Sequence, residues 1–147
     1  MKILGWNCRG MLSPTTVREL LELQGRTKAD VIFLSESHLN KCKADELRRV
    51  LNVDSMFVVE SDGRAGGLVL FYHKINKVVL NYVSDNFIDI LFMNEDIVQW
   101  RFTGFYGRPS WSERSLSWDD IRNLHCKGKL LEICPRGNNK SIIIFPC

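Results

Sequence analysis

No stretch of this sequence approaches the ~18 uninterrupted apolar residues of a membrane-spanning helix, which argues against a helical membrane protein. No pair among its five cysteines (Cys8, Cys42, Cys126, Cys134 and Cys147) has C-x-x-C spacing, and the number is odd. A disulfide framework is therefore not expected, and reduced thiols are. His125 with Cys126 and Cys134 matches no zinc-ligand spacing. The apolar run near the start, Ile3 and Leu4, is too short for a signal-peptide core, so an intracellular protein of nucleus or cytoplasm is expected. Internal repeats, low-complexity tracts and linkers are also lacking. So is a strong charge excess: 20 Lys and Arg against 17 Asp and Glu leave +3, which permits a nucleic-acid partner without demanding one. What remains is ordinary globular material, 147 residues with 45% hydrophobic and 25% charged side chains.

The chain alternates between strand and helix patterns. Lys2–Trp6 reads as a short strand. Ser13 followed by Pro14 reads as a helix start, with a side-chain cap and a proline whose missing N–H costs nothing there. Val17, Leu20, Leu21 and Leu23 supply that helix's apolar stripe. Val31–Leu34 is a continuous apolar run that suits a strand buried on both faces. A second helix is expected over Lys43–Leu51, with Leu47, Val50 and Leu51 on one side. Strands are expected at Met56–Val59, Leu68–Tyr72, Lys77–Val83, Phe87–Met93 and Ile97–Phe105. A turn at 61–67 separates the first two of these, and a hairpin turn at Asn94–Asp96 the last two. In the last of these strands Val98, Trp100 and Phe102 alternate with Gln99, Arg101 and Thr103, which predicts one buried and one polar face. Ser117 can cap a third helix with Trp118, Ile121 and Leu124 at helical spacing. A polar loop, 127–140, then precedes a last strand at Ser141–Phe145. The order predicts an α/β sandwich of two mainly antiparallel or mixed sheets flanked by helices.

Three polar residues stand where strand patterns stop: Asn7, Glu36 and Tyr106. Functional groups converge at such strand ends. Each also has an ordinary reading: an Asx-turn for Asn7, a solvated carboxylate for Glu36, a half-buried phenol for Tyr106. The surrounding strings are Gly5-Trp6-Asn7-Cys8-Arg9-Gly10, Phe33-Leu34-Ser35-Glu36-Ser37-His38, Thr103-Gly104-Phe105-Tyr106-Gly107 and Arg114-Ser115-Leu116-Ser117-Trp118. In this order they resemble the endonuclease/exonuclease/phosphatase superfamily, and more narrowly the endonuclease domain that opens plant LINE-type (non-LTR) retrotransposon polyproteins.

The resemblance runs from Met1 to about Leu124. It implies a phosphodiesterase acting on DNA with Mg2+ or Mn2+ as cofactor, no organic cofactor and no membrane partner. By position it makes Glu36 the acidic metal ligand, Asn7 part of the hydrogen-bond network beside metal and phosphate, and Tyr106 the contact to the scissile phosphate. These types suit the chemistry, since magnesium takes hard oxygen ligands and a phenol can donate to a phosphate oxygen without adding charge. Arg9, Arg64, Arg108 and Arg114 fall in or near expected loops and could contact phosphates, or stand as solvated charges.

The family's later strings are missing. There is no G-D-F-N, and His38, His73 and His125 do not sit in an S-D-H string that would supply a base. The expectation is a partial domain, 1–124, incomplete at its C-terminal end, followed by a divergent segment, 125–147, and a truncated, inactive relic of a retrotransposon endonuclease. A non-catalytic nucleic-acid-binding or interaction fragment is the alternative. A phosphatase of the same superfamily acting on a small phosphate ester is another.

Overall fold

The computed structural model describes residues 1–61, 66–74, 77–107, 119, 121–123 and 143–146. The chain divides into two compact units, Met1–Asn76 and Lys77–Cys147, and each holds one four-stranded sheet.

In the first unit β1 (Ile3–Asn7) leads through α1 (Pro14–Thr27) to β2 (Val31–Ser35), which lies parallel to β1 with Asn7 opposite Ser35. Next come α2 (Lys41–Leu51), β3 (Ser55–Val59) and β4 (Leu68–Tyr72). The sheet order is β1-β2-β4-β3, with β4 antiparallel to both its neighbours. The two central strands are buried along their whole length, as the apolar run of β2 predicts. Side chains alternate across a strand. Leu4, Trp6, Ile32, Leu34, Met56, Val58, Val69 and Phe71 therefore share one face, where they cluster with Leu20 of α1 and Ala44, Leu47 and Leu51 of α2. Asn7, Phe33, Ser35 and Leu70 lie on the other face, where Phe57 and Tyr72 stack at 5.4 Å.

The helix boundaries correct two sequence expectations. Ser13 occupies the N-cap of α1 but makes no side-chain cap bond, and Pro14 alone marks that start. The capped helix is α2, two residues longer than expected, where Asn40 Oδ1 accepts the Lys43 N–H at 2.9 Å. Its buried stripe is Ala44, Leu47 and Leu51, and Val50 is exposed; on α1 Leu21 is exposed likewise. Asn40→Ala should therefore cost about 1 kcal/mol and Ser13→Ala almost nothing, read as urea midpoints at constant slope. Equal effects would contradict this difference between the two caps.

The second unit is an antiparallel meander of β5 (Lys77–Ser84), β6 (Phe87–Asn94), β7 (Ile97–Phe105) and β8 (Ile143–Pro146). Tight turns at Asp85–Asn86 and Glu95–Asp96 join the first three strands, with Glu95 left-handed at φ 54°. Strand β8 falls where the last strand was expected, though Ser141 and Ile142 lie outside the described residues. Asp119 and residues 121–123 are helical; Ser117, Trp118 and Leu124 of the expected third helix, and the loop 127–140, lie outside them.

The expected polar face of β7 is corrected here. Arg101 and Thr103 are buried, while Trp100 on the expected core side is 43% exposed. The reason is Asp89 of β6, opposite Thr103 in register and fully buried. Its carboxylate accepts from Arg101 Nε at 2.9 Å, Thr103 Oγ1 at 2.6 Å and Asn81 Nδ2 at 2.6 Å. Asn81 reaches it from a bulge in β5 between Leu80 and Tyr82, an extra residue that re-aims a side chain. Among the described residues no helix is long and apolar enough to cross a membrane.

Candidate functional site

The parallel pairing of β1 with β2 brings the loops that follow both strands to the same sheet end. Asn7 closes β1, and Glu36 follows the last residue of β2. Those two loops are laced by backbone hydrogen bonds. The N–H groups of Cys8, Gly10 and Met11 donate to the carbonyls of Ser35, Glu36 and Ser37 at 3.1, 2.7 and 2.9 Å. The pairing that begins in the strands thus continues past them, and it holds the Glu36 backbone from the β1 side.

The backbone here is unusual. Arg9, Glu36 and His38 all adopt left-handed conformations, at φ 49°, 54° and 52°, although none is glycine. Each such residue costs about 1 kcal/mol or more and persists only where its surroundings hold it. Residues of this kind cluster at active sites. The site elements of the first unit are therefore strained as well as convergent.

Cys8 lies beneath the loop. It is buried, its thiol donates to the Ser35 carbonyl at 3.3 Å, and burial pushes its pKa up to about 11. A thiol so placed stays neutral and serves as a hydrogen-bond donor, not a nucleophile. Cys42, by contrast, is exposed, and neither cysteine is in a disulfide.

Asn7 Oδ1 is buried without a hydrogen-bond partner. An amide oxygen in that position costs free energy unless something satisfies it. Glu36 follows Ser35, the backbone partner of Asn7, so the two loops bring one carboxylate and one amide oxygen to the same sheet end, both of the hard type magnesium and manganese take. Among the described residues there is no group of three or more His, Cys, Asp or Glu side chains able to hold a metal. The residues thus fit a cation held by a single carboxylate, an amide oxygen and water, which is a sparse but chemically consistent set for magnesium.

Tyr106 belongs to the second unit, directly after β7. Its N–H donates to the Asn86 carbonyl at 2.7 Å across the β6–β7 pair. It is 4% exposed, and burial raises the pKa of its phenol, so the group remains a protonated donor. The structure thus brings Asn7, Glu36 and the exposed Arg9 together at one sheet end and places Tyr106 in the other unit. Arg64, Arg108 and Arg114 lie outside the described residues.

Sequence reasoning passed over Gly66 and Gly67, which stand before β4 with φ of 99° and 82°. Their carbonyls accept the N–H groups of His38 and Ser37, so they hold the Glu36 loop from the β4 side. A glycine pair before a buried strand was the available signal. It also read past Asp89, although an acidic residue inside Ile88–Leu91 signals a buried carboxylate with partners.

No family model and no curated protein matches this sequence. Solved structures do match in fold. The crystal structure of truncated Caenorhabditis elegans TDP2 superposes with a TM-score of 0.57 at 9% identity, covering 89% of this chain and 58% of that one. A second C. elegans TDP2 structure gives 0.56 at 8%, with 89% and 45% covered. The human Nocturnin catalytic domain with bound sulfate anion gives 0.52 at 17%, with 91% and 63% covered. The chain therefore spans less than two thirds of the length of each. Both neighbours have the endonuclease/exonuclease/phosphatase fold, and this α/β chain shares it.

Proposed function

We propose that these residues carry the metal-and-phosphate half of a divalent-metal-dependent DNA phosphodiesterase site, of the retrotransposon-endonuclease type, without the half that activates water. The observation that carries the reading is the buried, unpartnered Asn7 Oδ1 beside the Glu36 loop at the end of two paired parallel strands. The four ordered strings and the shared fold support it. So does the sulfate in the Nocturnin catalytic domain, an oxyanion with the shape of a phosphate.

In this reading Glu36 and Asn7 hold Mg2+ or Mn2+. When bound, such an ion neutralises charge developing on a phosphodiester oxygen. Arg9, exposed in the adjoining loop, would dock a backbone phosphate, and in the other unit the neutral Tyr106 phenol is a donor of the type that suits a phosphate oxygen. Neither step needs a base. Hydrolysis does, and neither G-D-F-N nor S-D-H occurs in the 147 residues. Binding DNA without cutting it is the activity left to this chain alone, and that binding should weaken steeply with added salt.

Two measurements test this. The wild-type chain should bind Mn2+, followed by the loss of its free-ion EPR signal, and Glu36→Gln should weaken that binding at least about tenfold, equivalent to ~1.4 kcal/mol. A supercoiled-plasmid assay with Mg2+ should show no nicking above background. Clear nicking that disappears in Glu36→Ala would overturn the claim that this chain does not turn over.

A further inference from the structure

We infer that Gly67 is a positioning residue for the Glu36 carboxylate, setting the metal-binding loop through contact rather than through its own backbone flexibility. The inference rests on Glu36 being the metal ligand. The Glu36 loop is held on two sides. From β1 the N–H groups of Cys8, Gly10 and Met11 take the carbonyls of residues 35–37. From the start of β4 the Gly67 carbonyl accepts the Ser37 N–H at 3.1 Å, and the Gly66 carbonyl accepts the His38 N–H at 3.4 Å. Glu36 is therefore left-handed between anchored neighbours, and the point from which its side chain departs is fixed by that backbone.

Two adjacent glycines look interchangeable in sequence, and the structure separates them. Both have positive φ, 99° at Gly66 and 82° at Gly67, so a side chain at either position is strained. A Cβ on Gly66 would meet nothing within 4 Å. A Cβ on Gly67 would stand 3.1 Å from the His38 backbone nitrogen and 3.1 Å from Ser37 Oγ. Ser37 is fully buried and His38 donates its N–H to the Gly66 carbonyl, so admitting that Cβ takes a shift of a few tenths of an ångström in the residues that follow Glu36. The left-handed backbone cost is shared by both glycines, and the push on the loop belongs to Gly67 alone.

The pair therefore contains its own control. In the full chain, Gly66→Ala and Gly67→Ala should both lower the thermal midpoint. Gly67→Ala should weaken Mn2+ binding about tenfold, the lower end of what loss of a supporting contact costs a metal site, while Gly66→Ala changes it less than twofold. Glu36→Gln is measured beside them. If Glu36→Gln abolishes binding and the two alanine variants bind Mn2+ equally, the positioning role is wrong and the ligand assignment stands. If the wild type binds no Mn2+, or Glu36→Gln binds like wild type, the ligand assignment fails and the positioning role falls with it.

Should Gly67→Ala not fold, amide exchange in the wild type decides. Mg2+ should slow exchange of the Ser37 and His38 amides, which donate to this glycine pair. Exchange at those two amides that is indifferent to Mg2+, in a chain that binds the ion, would overturn the inference.

Discussion

Asp89→Ala should lower the unfolding free energy by about 3–5 kcal/mol, the cost of removing one partner from a buried ion pair. Domains of this size have only about 5–15 kcal/mol in all, so the variant should be near the edge of folding. The carboxylate is fully buried and takes three donors, from Arg101, Thr103 and Asn81. Its loss takes away the carboxylate that pairs with the Arg101 guanidinium, which is 5% exposed. The effect comes from the cost of a buried charge that has lost its counter-charge here, rather than from the strength of the pair. Replacing both ends, as Asp89→Leu with Arg101→Met, should therefore cost less than Asp89→Ala alone. Urea denaturation of the two single variants and the double gives the coupling directly. A single-variant loss below about 1 kcal/mol would mean that water or other groups satisfy Arg101 as well as Asp89 does.

Phe71→Ala should cost a similar amount, about 3–5 kcal/mol, for a different reason. Phe71 is fully buried in β4, opposite Ile32 on one side and Met56 on the other, on the face that meets α1 and α2. Truncation removes the ring's transfer free energy and leaves a cavity that the central strand of a mixed sheet cannot collapse into. Trp100→Ala is the comparison. The larger side chain is 43% exposed and should change stability by no more than about 0.5 kcal/mol. Denaturation midpoints of both variants check this, and an equal loss would contradict the burial pattern of β7. Phe71 and Asp89 lie in different units, so the two variants report separately on the two sheets.

Much of the architecture was legible in the residues. Val31–Leu34 reads as a doubly buried strand because nothing polar interrupts it, and β2 is one. The strand ends at Asn7, Glu36 and Tyr106 could be found because apolar patterns stop there. The four strings around the same residues anticipated the fold that the solved neighbours share. Local periodicity and composition set these features, since they depend on neighbours within a few residues.

Other features depend on groups brought together from distant parts of the chain. Arg101 and Thr103 alternate like a solvent face, yet Asp89 buries them, because a carboxylate twelve residues from Arg101 neutralises the charge only after β6 and β7 pair. Ser13 has the chemistry of a cap and does not act as one, whereas Asn40 does, because capping depends on side-chain geometry and not residue type alone. Gly66 and Gly67 are the same residue in sequence and differ in space, since both bond the Glu36 loop but only a Cβ on Gly67 would meet it. By itself the sequence determined which segments become strand or helix and where polar groups interrupt them, because those choices rest on short-range patterns. Strand pairing decided which polar groups are buried, which donors meet the Asp89 carboxylate and at which glycine a Cβ would press on a neighbouring loop, because each of these is a contact between residues remote in the chain.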